Sequence, residues 1–278
     1  MPGNTVDRWD GATWRRVLAL DGAPTALAVT ERGGRLEVSI DGGGPLAPDA
    51  AAVVVRTVLG LDVDVADFAL VAAPDPRMAE LARRFAGVRP PRLPSPFEAL
   101  VNGIACQQIS LVVGILLLDR LIARFGPERG GEHGFPSPGD LSLARADDLR
   151  AIGFSGRKAE YILSLAAAVR DGSLDLDGLS ALPDGDAIAR LEELPGIGHW
   201  TAEYVLLRGL GRLDVFPADD VGGQAKLGRL FALDERPGRA RTLALLEPFR
   251  PLRGFVYFHL LLDELERRGL LNARLGTT

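Results

Sequence analysis

Cysteine is almost missing: Cys106 stands alone among 278 residues. An intramolecular disulfide is therefore excluded, and so is a cluster or zinc site held by several thiolates. A reducing cytosol is the default setting for such a chain. Lysine is scarce as well, with Lys158 and Lys226 alone; arginine supplies the rest of 32 basic residues, which face 37 acidic ones for a formal charge of −5. That balance argues mildly against nucleic acid, because nonspecific DNA affinity usually comes from basic surface, although local fields matter more than totals. No run approaches the roughly 18 uninterrupted apolar residues of a membrane span. The most apolar stretch, Ile109 to Leu118, stops at Asp119, and the first ten residues carry acids early with no apolar core. Neither a transmembrane segment nor a signal peptide is expected.

What is present is ordinary globular material. Hydrophobic residues make up 47% and charged residues 25%, enough apolar content for a sizeable core and too much for long disorder. Segments 14–20 and 36–40 read as strands, with Gly33-Gly34 as a hairpin signal between strand-like stretches. Residues 49–59 read as a helix. Arg89 to Pro96 holds four prolines in eight residues, which no helix crosses. Beyond it the pattern is helical, with Ser95-Pro96 as a helix start and apolar residues at helical spacing over 97–107, 109–125, 146–152, 158–171, 184–193, 200–210, 224–230, 239–246 and 254–267. No period-2 segment is found after residue 95. The expectation is a mainly α protein, with a mixed α+β N-terminal domain over 1–88 and an all-α region over 89–278.

Leu194-Pro195-Gly196-Ile197-Gly198-His199-Trp200-Thr201-Ala202 is the most informative segment. Two glycines around one apolar residue turn the chain tightly between helices. Backbone N–H groups then lie at a helix N-terminus, an anion site that needs no basic side chain. The bland alternative is an ordinary helix–turn–helix corner. Further on, Asp219-Asp220 follows Val215-Phe216-Pro217 and precedes a helix; either acid alone reads most simply as an N-cap.

Taken together, 194–220 resembles the helix-hairpin-helix DNA glycosylases, most of all the DNA-3-methyladenine glycosylase II type. The likeness runs over roughly 90–270. It takes in Phe97-Glu98-Ala99-Leu100, Gln107-Gln108-Ile109-Ser110, the Gly153 to Lys158 turn and Arg253 to His259. It implies the helix-hairpin-helix glycosylase fold, with two helical subdomains flanking a cleft. It also implies excision of alkylated bases from double-stranded DNA by a monofunctional enzyme.

Counting twenty positions from Trp200, as the family spacing does, gives Asp220 as the catalytic carboxylate and leaves Asp219 as a cap or structural partner. Lyase-active relatives carry a lysine where this chain has Trp200, so no Schiff-base chemistry is implied; relatives with an iron–sulfur cluster use cysteines that this chain lacks. Trp200 and Tyr204, four apart on one helix, share a face and line the base pocket by resemblance, with core packing as the alternative. Val221 and Leu261 stand where the family has pocket aromatics, so a more open pocket and a wider range of methylated bases are implied. Gln107 and Gln108 fall at the DNA wedge, or else cap helix ends. Gly196, Gly198 and Trp200 would offer backbone N–H groups to a phosphate. Arg157 and Lys158 either touch phosphate or form a solvated helix start. No cofactor is required; the main-chain carbonyls of Glu192, Leu194 and Ile197 would hold a structural Na+ or K+. His133 reads as loop surface and His259 as packed. A cytoplasmic monomer is expected. The competing readings are a noncatalytic DNA-binding module and a glycosylase for another lesion class.

Overall fold

A computed structural model describes residues 5–271. In chain order it opens with strands β1 (Arg8–Trp9), β2 (Thr13–Leu20), β3 (Ala23–Arg32) and β4 (Arg35–Gly42), then helices α1 (Ala47–Val58), α2 (Ala66–Ala72) and α3 (Pro76–Arg84). After the proline segment come α4 (Pro96–Cys106), α5 (Leu111–Phe125), a two-stranded ribbon of β5 (Glu128–Arg129) and β6 (Glu132–His133), α6 (Pro138–Leu141), α7 (Ala146–Ala151) and α8 (Gly156–Arg170). The remaining helices are α9 (Asp184–Glu192), α10 (His199–Arg208), α11 (Val221–Leu230), α12 (Arg239–Leu246) and α13 (Arg253–Arg267). The protein is thus mainly helical with a small N-terminal sheet. Among the described residues two compact units interleave along the chain: 5–57, 97–181 and 194–196 belong to one, and 58–96, 182–193 and 197–271 to the other. The single change of composition near residue 88 does not reveal this interleaving, because helices after the proline segment contribute to both units.

In the first unit the four strands form an antiparallel sheet in the order β1-β2-β3-β4. Asp21-Gly22 and Gly33-Gly34 take positive φ at both central positions, the geometry that suits the right-handed twist of a two-residue hairpin. The second of these is the expected hairpin; the first adds β3, which the sequence pattern did not isolate. Arg16 on β2 is buried with its side chain fully covered, and its guanidinium meets both Glu98 carboxylate oxygens on α4 at 2.7 and 2.5 Å and Asp7 at 2.9 Å. The acid of the Phe97-Glu98 motif is therefore a buried anchor for α4. At the other end of that helix, the Lys158 ammonium donates to the Ala105 and Gln107 carbonyls, both at 2.8 Å. The helix α8 that carries Lys158 is capped by Ser155. The ribbon β5–β6 corrects the expectation of no strand after residue 95; its two residues per strand are too few to show a period.

The second unit is helical. Helices α2 and α3, which the strand-and-turn reading of the N-terminal part passed over, lie here; α3 starts with Asp75 as N-cap and Pro76 inside the first turn. The core collects Phe68, Met78, Leu81, Leu207, Phe216, Leu246, Phe255 and Phe258. His259 is buried among them, with its ring 4.2 Å from that of Phe68 and 4.8 Å from that of Phe255. Its Nδ1 lies 3.1 Å from the Phe255 carbonyl oxygen, and burial pushes its pKa down to about 4. His133 is half-buried on β6 beside the Gly126 carbonyl rather than on open loop surface, because the ribbon folds it back.

Candidate active site

Helix α9 ends at Glu192 and α10 begins at His199, with the glycine turn between them. Gly196 has a φ of +80°, and a Cβ there would lie 2.1 Å from the Tyr161 ring. Glycine is required on both counts. Ile197 is buried, and Gly198 is the N-cap of α10 with extended backbone and no side-chain cap. The first N–H groups of α10, which include that of Trp200, therefore have no partner within the helix.

From α10, Trp200 and Tyr204 stand one turn apart with ring centroids 5.7 Å apart and planes within 23°, a stacked pair that is half-buried on one helix face. Asp220 caps α11. Its Oδ1 accepts from the Gly223 N–H at 2.7 Å, and its Oδ2 accepts from Trp200 Nε1 at 3.3 Å and from the Tyr257 hydroxyl at 2.7 Å. Three donors from three helices thus fix a half-buried carboxylate at the edge of the aromatic pair. The cap is Asp220 itself; Asp219 is a structural partner, paired with Arg239 at 2.8 Å. This is why α11 starts at Val221, three residues before the apolar periodicity becomes visible.

Tyr257 was not singled out by the sequence. It sits on α13, 37 residues from Asp220, with its ring 5.5 Å from that of Phe216. Burial, and then the Asp220 charge, raise its pKa well above that of an ordinary phenol, so the hydroxyl remains a donor. The only sequence signal is helical spacing: Tyr257 precedes Leu261 by four and shares its face. Leu261 is half-buried, while Val221 is 62% exposed at the start of α11. Neither supplies an aromatic surface.

The α4–α5 turn belongs to the first unit, and it separates the two glutamines. Gln107 donates its side-chain amide to the Gly196 carbonyl at 2.8 Å, so it braces the glycine turn. Gln108 is exposed and has a φ of +56°, a left-handed conformation rare outside glycine. Lys158, spent on the end of α4, is not a free phosphate ligand; burial lowers its pKa. Arg157 is exposed. No group of three or more His, Cys, Asp or Glu side chains among the described residues is placed to hold a metal ion.

The chain as a whole is similar to known proteins. Residues 101–251 match the family of HhH-GPD superfamily base excision DNA repair proteins. The chain is 33% identical over 204 residues to a DNA-3-methyladenine glycosylase of Bacillus subtilis, covering 72% of this chain and 67% of that one. It is 32% identical over 181 residues to DNA-3-methyladenine glycosylase 2 of Escherichia coli, covering 63% and 60% respectively. The chain thus spans three-fifths to two-thirds of these relatives' own lengths. Among solved structures, a 3-methyladenine DNA-glycosylase from Archaeoglobus fulgidus is similar over 96% of this chain and 91% of that one, at 30% identity and a TM-score of 0.83. The chain belongs to the HhH-GPD superfamily of base excision DNA repair proteins.

Proposed function

We propose that this protein is a monofunctional DNA glycosylase that hydrolyses the N-glycosidic bond of alkylated bases in double-stranded DNA, the first step of base excision repair. The observation that carries the reading is the Asp220 carboxylate, held by three donors beside the Trp200–Tyr204 stack. The names of the similar proteins support it, as does the absence of a lysine at the hairpin position that Trp200 fills.

The chemistry follows from the substrate. A base such as 3-methyladenine or 7-methylguanine is cationic in the nucleoside and leaves as a neutral molecule, so no acid is needed to protonate it. As the C1′–N bond breaks, positive charge develops on the sugar. Asp220 offsets that charge and orients the water, taking its proton as the C1′–O bond forms. Before this the nucleotide must leave the stack. The Trp200 and Tyr204 faces then favour a cationic base by about 0.5–2 kcal/mol per contact. Gln108 enters the gap in the duplex, a polar wedge. Gly196, Gly198 and the Trp200 N–H receive a backbone phosphate.

Because Val221 and Leu261 leave the pocket short of aromatic surface, the range extends to 1-methyladenine and 3-methylcytosine beside 3-methyladenine and 7-methylguanine. The reaction needs no cofactor. A structural Na+ or K+ on the main-chain carbonyls of Glu192, Leu194 and Ile197 is part of this reading, since oxygen donors suit hard cations. Such an ion would add positive potential for a phosphate in an acidic protein. A cytoplasmic monomer fits this work, and no helix among the described residues is long and apolar enough to cross a membrane.

Incubation with methylated duplex DNA tests the reading. Chromatography should recover free methylated bases and leave alkali-labile sites, and borohydride should trap no protein–DNA adduct. DNA binding without any released base would overturn it in favour of a noncatalytic module.

A further inference from the structure

The Asp220 carboxylate is aimed by its three donors, but the turn that carries it is held by a second set of groups. Asp220 closes a turn onto the Pro217 carbonyl at 3.0 Å. Within that turn the Ala218 peptide is gripped on both sides. Its N–H donates to Glu203 Oε2 at 3.0 Å, and its carbonyl accepts from Gln224 Nε2 at 2.8 Å. Both side chains are buried. Glu203 lies on α10, one turn beyond Trp200 and next to Tyr204, so the helix that presents the aromatic wall also holds the turn that presents the carboxylate.

A buried carboxylate is costly unless it is paired. Arg239, from the first turn of α12, supplies the pair. Its Nη2 donates to Glu203 Oε1 at 2.8 Å and its Nη1 to Oε2 at 3.2 Å. The same guanidinium reaches Asp219 Oδ2 at 2.8 Å and His199 Nε2 at 2.7 Å. His199 Nδ1 lies 2.8 Å from Glu192 Oε1. One planar fork therefore ties α10 and the residue beside Asp220 to α12, and a lysine has neither the plane nor the number of donors to replace it.

We propose that Glu203 and Arg239 are positioning residues: they set the distance between Asp220 and the Trp200–Tyr204 wall, and through it the rate of base release, without touching substrate. The rate part of this proposal rests on the glycosylase reading; the distance part does not. Arg239→Gln breaks the fork, and Arg239→Lys keeps the charge while losing the geometry, which covers the case in which Arg239→Gln does not fold.

Two readouts on the full-length protein separate the parts. In single-turnover assays on methylated duplex DNA, each folded variant should release base about 10- to 100-fold more slowly, the scale of a misplacement near 1 Å, with DNA affinity unchanged. Added guanidinium ion should restore part of the loss in a folded Arg239→Gln. With 5-fluorotryptophan incorporated at the three tryptophans, the ¹⁹F resonance of Trp200, assigned through Trp200→Phe, should move while those of Trp9 and Trp14 stay. A folded variant that keeps both the wild-type rate and the Trp200 resonance would overturn the proposal. Wild-type protein that releases no base, with the Trp200 resonance still moving in the variants, would overturn the glycosylase reading and leave the positioning role standing.

Discussion

At the end of α4 the chain turns through an exposed Gln108 with a φ of +56°, whereas before α11 it turns through Asp219 and Asp220 with polar side chains committed on every side. Under the glycosylase reading proposed above, the two turns serve different demands. A carboxylate that must face a reacting carbon gains from over-determination, because each added donor removes a way of being misplaced. A side chain that must meet a deformable duplex gains from standing clear of the protein. Its backbone strain is tolerated because the neighbours are fixed: Gln107 is bonded to Gly196, Lys158 closes the end of α4, and Glu98 anchors its start. Rigid supports on both flanks let the middle residue of the α4–α5 turn remain free.

The anchor is the place where this contrast breaks hardest. Glu98→Ala leaves Arg16 buried without its main partner, and urea unfolding should record a loss of about 3–5 kcal/mol. A loss below 1 kcal/mol would mean that the α4–α5 turn does not depend on that pair.

Acid acts next, through the buried His259 of α13. The His259 pKa is depressed to about 4 from an ordinary 6.5. Between these values the unfolded chain binds a proton that the folded chain refuses. Stability of the α13 region is therefore complete above about pH 6.5 and falls as the pH drops toward 4, by about 3 kcal/mol in all. Urea unfolding between pH 7 and 4 should show this slope, and His259→Leu should flatten it. An unchanged slope in the variant would assign the acid sensitivity to other groups.

The smallest effect has two signs. Gln108→Gly removes the left-handed strain, so stability should rise by about 1 kcal/mol. Base release should slow, because nothing then fills the gap in the duplex. A variant that is both more stable and fully active would remove Gln108 from the mechanism.

Much of this site was legible in sequence because its parts are local. Gly196, Gly198, Trp200 and Tyr204 lie within nine residues, and the Gly33-Gly34 hairpin and most later helices declare themselves by turn chemistry and period. The unread parts are joined over long separations. Tyr257 reaches Asp220 across 37 residues, Arg239 reaches Glu203 across 36, and Glu98 reaches Arg16 across 82. A lone Tyr, Glu or Arg in a helical stretch carries no mark of the partner it will find. Asp219 and Asp220 show the intermediate case. The motif count picks the second acid, but only the fold reveals that this same residue caps α11 while its other oxygen faces Trp200 and Tyr257.

The most direct test compares those adjacent acids in single-turnover release of 3-methyladenine from duplex DNA. Asp220→Asn keeps the size of the side chain and removes its charge, so the rate should fall by at least about 10²–10³-fold, while Asp219→Asn, which leaves the Glu203–Arg239 pair in place, should fall by less than about tenfold. Release by Asp220→Asn at the wild-type rate would contradict the account.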